Sequence, residues 1–228
     1  MHTIEPLTYL VDGDAGALKD MACLLQAAGL RVAAFDRTDG FLQAHDPATP
    51  GCAVIDVRSP GLNGMDGMDG MDGLALLGEL QQGGAERAIV FVAGGGASDV
   101  ALGVRAMKAG AVDFLIKPLE ADGFIAAVRH ALARDAHERA VRLELQRIRA
   151  HLDTLTRREQ QVLRHVVSGR LNKQIAFDLG IAEKTIKVHR ARVMEKMGAT
   201  SLAQLVRETL ELEAGAVFAG DGVDKDGG

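Results

Sequence analysis

Short apolar runs alternate with stretches of helical spacing over roughly the first half of the chain. The runs are Thr8 to Val11, Arg31 to Phe35, Cys52 to Val57, Ala88 to Val92 and Val112 to Ile116. Between them, Leu18, Met21, Leu24 and Leu25 recur at helical intervals, as do Leu74, Leu76, Leu77 and Leu80, and then Val100, Val104 and Met107. Strands alternating with helices predict an α/β domain, a five-stranded parallel sheet wound on both faces. Such sheets bind ligands beyond the carboxyl ends of their strands, so the residues that follow each run carry the chemistry. Asp12, Gly13 and Asp14 follow the first run, and Asp56 lies at the end of the third. Ala93, Gly94, Gly95 and Gly96 follow the fourth, and Lys117 and Pro118 the fifth.

Beyond residue 125 the pattern becomes entirely helical. From Ala121 to Leu155 there is no proline, and Gly123 is the one glycine, which predicts a long helix leaving the first domain. Val141, Leu145, Ile148, Leu152 and Leu155 recur at intervals of four and three. That spacing is equally the seam of a short coiled coil and the apolar stripe of one helix packed on a domain. Thr156, Arg157, Arg158 and Glu159 then form a capping-box start for a helix through Val167. A second helix spans Asn172 to Leu179, Gly180 supplies a bend, and a third runs from Glu183 to Met197, a helix-turn-helix. On the third helix Ile186, His189, Val193 and Met197 share the inward face, with His189 expected to be packed rather than ligating. The opposite face holds Lys184, Lys187, Val188, Ala191, Arg192 and Glu195, and Val188 there suits a thymine methyl group in a major groove. The expected organisation is a sheet domain over 1–125, a helical connector over 126–153, an all-α domain over 154–212 and a disordered glycine-rich tail over 213–228.

Charge sharpens this division. The net charge of -5 conceals 17 acidic against 8 basic residues in 1–125, and 17 basic against 10 acidic in 126–212. Opposite signs imply opposite partners: the first part repels nucleic acid, and the second attracts phosphates. With 47% hydrophobic and 25% charged residues the chain can bury cores, which excludes general disorder. Its apolar runs fall far short of the roughly 18 residues that span a bilayer, and residues 1–5 lack a basic start before an apolar stretch. A cytoplasmic protein without membrane attachment is expected. Cys23 and Cys52 stand in apolar surroundings without metal-ligand spacing, which reads as buried thiols in a reducing compartment.

Four segments of the first domain resemble the receiver domain of two-component response regulators of the NarL/FixJ type. They are Tyr9-Leu10-Val11-Asp12, Asp56-Val57-Arg58-Ser59-Pro60-Gly61, Arg105 to Leu115, and Lys117-Pro118. The resemblance implies Asp56 as phosphoacceptor, Asp12 and Lys117 as its partners, Mg²⁺ held at Asp12 and Asp56, and a sensor histidine kinase as phosphate source. It also implies self-pairing through the surface that carries Val104, Arg105 and Lys108. Two positions depart from the family pattern. Gly13 stands where a second acid normally ligates the metal, so Mg²⁺ binding is expected to be weakened. Ala93 stands where a Thr or Ser normally hydrogen-bonds the phosphoryl group. A hydrogen bond to a charged group contributes roughly 1.5–3 kcal/mol, a large share of the about 5.5 kcal/mol a full two-state switch requires. The loop after Ala93 is also about two residues longer than the family pattern. Beyond Asp56 a Met-Asp-Gly unit repeats three times within 64–73; its aspartates are spaced wrongly for a calcium loop, so a duplicated surface loop is the expected reading.

The third segment of the chain resembles the LuxR-type helix-turn-helix of the same regulators. The matching residues include Leu155 to Glu159, Asn172-Lys173, Ile175-Ala176, Leu179-Gly180-Ile181 and Lys184 to Arg190. The resemblance implies Lys187 and Val188 at base edges, with Lys173, Lys184, Thr185, Arg190 and Arg192 toward phosphates or neighbouring bases. Ala182 replaces the Ser that commonly caps the recognition helix, a loss of about 1 kcal/mol. The expectation is a transcription regulator that binds double-stranded DNA as a homodimer and is not an enzyme. Its control is expected to be at least partly independent of phosphorylation, the alternative being Mg²⁺-dependent phosphorylation at Asp56. An adaptor would lack salt-steep duplex binding, and an aspartate phosphatase would turn over substrate.

Overall fold

The computed structural model describes residues 5–59 and 87–220. The Met-Asp-Gly repeat, the helix expected around Leu74 to Leu80 and the last eight residues lie outside them. The chain divides into two compact units, 1–139 and 140–228.

The first unit is built on five parallel strands: β1 (Leu7–Val11), β2 (Arg31–Phe35), β3 (Gly51–Asp56), β4 (Ala88–Ala93) and β5 (Asp113–Ile116), in the order β2-β1-β3-β4-β5. All five expected strands are present. Helices α1 (Ala15–Ala27), α2 (Thr38–Ala44), α3 (Ala97–Lys108) and the first part of α4 (Ala121–Asp153) belong with them. Alternation along the strands feeds two cores. Tyr9, Val11, Ala53, Ile55 and Phe91 join Phe41, Leu102 and Ala106, whereas Leu10, Val54 and Val90 join Met21, Leu25 and Val128. β3 and β4 are buried at every position, the signature of inner strands covered on both sides. Gly51 is required where β3 begins: a Cβ there would stand 1.9 Å from the carbonyl oxygen of Leu7.

Three details differ from expectation. Helix α2 has no counterpart in the sequence pattern, because seven residues with one internal glycine are too few to display a period; Thr38 and Phe41 anchor it. On α3 the periodic set Val100, Val104 and Met107 is the outward face, and Leu102 and Ala106 point into the core. Cys23 is exposed on α1, since the turn that buries Met21 and Leu25 carries it outward; only Cys52 is buried, and burial pushes its thiol up to about 12.

The second unit takes the last part of α4, then α5 (Arg157–Val167), α6 (Asn172–Leu179), α7 (Glu183–Met197) and α8 (Leu202–Gly220). Its core gathers Ile148, Leu155, Val162, Val166, Ile175 and Ile186 with Val193, Met197 and Leu205. The connector seam is therefore partly spent within one chain: Ile148 is fully buried here and Leu152 packs beside it, while Val141 stays exposed. Arg147 on α4 reaches buried Glu208 on α8 at 3.1 Å, fixing the same junction. Helix α8 continues to Gly220, past Leu212 where the sequence pattern placed the end of the domain. The segment contains no proline, and its alanine, leucine and glutamate residues outweigh the roughly 1 kcal/mol cost of Gly215.

Candidate functional sites

The carboxyl edge of the sheet brings three of the expected residues into one cluster. Asp12 follows β1, Asp56 closes β3 and Lys117 follows β5; the pairing of β1 with β3 and of β4 with β5 sets their spacing. The Lys117 ammonium donates to Asp12 Oδ2 and Asp56 Oδ2, each at 2.6 Å. Both carboxylates are buried, so the cation offsets two charges that would otherwise repel across a poorly solvated edge. Burial pulls the Lys117 ammonium down, but hydrogen bonds and attraction from Asp12 and Asp56 outweigh it and hold its pKa above the ordinary value. Ala93, at the end of β4, is fully buried and brings only a methyl group.

The other oxygens are already engaged. Asp12 Oδ1 accepts from the Asp14 backbone at 2.8 Å, and Asp56 Oδ1 from the Arg58 backbone at 2.7 Å. Asp14, the acid one place beyond Gly13, caps α1: its Oδ1 accepts from the Gly16 and Ala17 amides, which hold its pKa below the usual carboxylate range. Mg²⁺ binds through oxygen ligands and keeps several waters, so two carboxylates are a minimal set for it. Here each of their four oxygens accepts one proton donor, and Gly13 adds no side-chain ligand beside them.

One arrangement at this edge had no signal in the sequence pattern. Arg58, two residues after Asp56, extends its guanidinium to Asp99 near the start of α3, with Nη2 3.1 Å from Oδ1. Asp99 Oδ2 also accepts from the amides of Gly95 and Gly96, at 2.9 and 2.8 Å. These amide bonds, with the guanidinium, keep the Asp99 carboxyl below its ordinary pKa.

In the second unit the capping box forms: Thr156 Oγ1 accepts from the Glu159 amide, and Glu159 Oε2 accepts from the Thr156 amide at 2.9 Å. The Lys196 ammonium, 2.7 Å from the same oxygen, joins α7 to the start of α5. The hydrogen bond from Lys196, followed by that from Thr156, lowers the Glu159 carboxyl to about 2. Gly180, at φ +63°, makes the bend into α7, a left-handed conformation that glycine adopts without strain. Ala182 caps α7 without a side-chain hydrogen bond.

On α7 the inward face contains Ile186, Val193 and Met197 fully buried, with His189 half-buried. Lys184, Thr185, Lys187, Val188 and Arg192 are exposed together on the outward side, and Lys173 is exposed on α6. Lys187 lies 3.6 Å from Glu183, a surface pair one turn back that holds its head loosely. Arg190 differs from the others. It is half-buried and donates to Asn172 Oδ1 at 3.2 Å, bracing α7 against the start of α6.

Comparison with known proteins places both units. A family model described as "Response regulator receiver domain" matches residues 9–129, and one described as "Bacterial regulatory proteins, luxR family" matches residues 153–209. The transcriptional regulatory protein FixJ of Azorhizobium caulinodans is 41% identical over 213 residues, covering 93% of this chain and 95% of its own. The response regulator protein TmoT of Ectopseudomonas mendocina is 38% identical, covering 93% and 92%. Among solved structures, the response regulator StyR is similar at 38% identity with a TM-score of 0.77, over 91% of this chain and 99% of that one. Full-length FixJ from B. japonicum is similar at 36% identity with a TM-score of 0.54, over 93% and 99%.

Proposed function

The chain belongs to the response regulators with a receiver domain and a LuxR-type DNA-binding domain, and from that premise we propose that it regulates transcription with control at least partly independent of phosphorylation. The observation that carries this reading is buried Ala93, which gives the β4 end no hydroxyl to take a phosphoryl group. Gly13 works in the same direction, since it brings no acid and Asp14, one place later, spends Oδ1 on capping α1. Mg²⁺ at Asp12 and Asp56 is accordingly weakened.

The output is reading of duplex DNA in the cytoplasm by a homodimer. Lys187 and Val188 meet base edges, while Lys173, Lys184, Thr185 and Arg192 meet phosphates or adjacent bases. Arg190 serves from its bracing position on Asn172. Val100, Val104 and Met107, exposed on α3 beside Arg105 and Lys108, form the surface for self-pairing.

A second reading, phosphorylation at Asp56 by a sensor histidine kinase, is favoured by the convergence of Lys117 on Asp12 and Asp56. Incubation of the full chain with a small acyl phosphate and Mg²⁺ separates the two. Duplex affinity that changes less than about fivefold, with little covalent mass gain, supports the first reading. Stoichiometric mass gain that is absent from Asp56→Ala, together with a steep rise in affinity, establishes the second.

A further inference from the structure

The loop after β4 contains three consecutive glycines, Gly94 to Gly96, and Gly95 sits at φ +88°. Such a segment has many backbone states available in the absence of a fastening. The fastening is Asp99. Its carboxylate is buried at 2% exposure, draws the Gly95 and Gly96 amides onto Oδ2, and leaves Oδ1 for Arg58.

Arg58 is in turn aimed by a tight turn. Its amide donates to Asp56 Oδ1, the Ser59 amide donates to the Asp56 carbonyl at 3.0 Å, and Ser59 Oγ donates to the Val11 carbonyl at 3.2 Å. The turn projects the side chain across to the start of α3. Because the Ala93 side chain has no polar atom, Arg58–Asp99 is the side-chain ion pair that joins the Asp56 turn to the β4–α3 loop among the described residues.

We propose that Arg58 and Asp99 form a latch that fixes the Gly94–Gly96 loop and the start of α3 in the unphosphorylated chain, and so keeps the α3 surface ready for self-pairing. The proposal rests on the phosphate-independent reading above and names the device that sets the receiver's state without phosphate. Its physical basis is preorganisation: a surface ordered before association loses less conformational freedom when it pairs. Arg58 remains half exposed, so the latch is also weakened by salt.

The test compares wild type, Arg58→Met and Arg58→Lys as full chains in buffer without phosphodonor, by amide exchange at Gly95 and Gly96, self-association and affinity for a randomised duplex pool. Arg58→Met removes a half-exposed head and leaves Asp99 its two amide donors, so the fold is retained. Exchange about tenfold faster in Arg58→Met, with self-association and duplex affinity reduced at least fivefold and Arg58→Lys intermediate, supports the latch. Unchanged exchange overturns it. Faster exchange with self-association and affinity within twofold of wild type also overturns it, because the pair is then only a loop fastening. Dependence of wild-type DNA binding on phosphodonor is a separate result that sinks the phosphate-independent reading, while the exchange comparison still decides whether the latch exists.

Discussion

Glu159 offers a stability test whose sign and size both follow from geometry. Its carboxylate is 2% exposed and takes two donors on one oxygen, the Thr156 amide and the Lys196 ammonium. Glu159→Gln keeps the shape but removes the charge. A hydrogen bond to a charged group contributes about 1.5–3 kcal/mol, and the one-third exposure of Lys196 places this pair near the lower end, so a loss of about 2 kcal/mol is expected at pH 7. The folded-state pKa of about 2 lies below the ordinary 4.5, so the unfolded chain takes up the proton first as pH falls. The contribution is therefore complete above about pH 4.5 and fades as pH drops toward 2. Amide exchange of α5 in the full chain, corrected for intrinsic rates, measures it. Exchange in Glu159→Gln should be roughly 30-fold faster than wild type at pH 7, and most of that ratio should disappear by about pH 3. A ratio that stays constant across this range would mean that the carboxylate's charge is not what stabilises α5 at Glu159, and would refute the reasoning.

Lys187→Ala should relax base preference in selections from a randomised duplex pool, and Lys173→Ala should weaken binding to every duplex alike and flatten the salt dependence. Unchanged preference in Lys187→Ala would displace it from the groove. Lys117→Met leaves two buried carboxylates without their cation, so urea denaturation of the full chain at pH 7 should show a loss of about 3 kcal/mol or more. Gly51→Ala would drive a methyl group into the Leu7 carbonyl, and circular dichroism should show loss of the sheet unit while the helical unit persists.

The strands were legible because burial on one or both faces imposes a short apolar run, and β1 to β5 each match one. Helix ends were legible where a side chain does the capping, as Thr156 and Glu159 show. What the pattern concealed was direction. Val100, Val104 and Met107 have the spacing of a core stripe, yet three apolar residues at helical intervals specify a face without saying which way it turns. Leu102 and Ala106 occupy the buried side, and small Ala106 gives little signal against its neighbours. The same ambiguity governed the connector. Its heptad spacing is consumed at Ile148 by the core of the second unit and left open at Val141, an outcome set by contacts with residues 162–205.

At the carboxyl edge, residues that act by identity were visible and those that act by reach were not. Asp12 and Lys117 follow strands and Asp56 ends one, so topology alone forces them together. Asp14 looked like an acid out of place, and its capping of α1 depends on a turn that no spacing rule reveals. Arg58 and Asp99 are 41 residues apart, one in the turn after β3 and the other in the first turn of α3, and a half-exposed arginine ordinarily reads as solvated surface. The substitution at Ala93 acquires meaning only beside that pair. With no hydroxyl on the Ala93 side chain, the triple-glycine loop is joined to the Asp56 turn by the ion pair, an anchor built from charge. On the latch proposed above, a contact that competes for the Arg58 guanidinium releases this anchor, and one that buries the pair strengthens it.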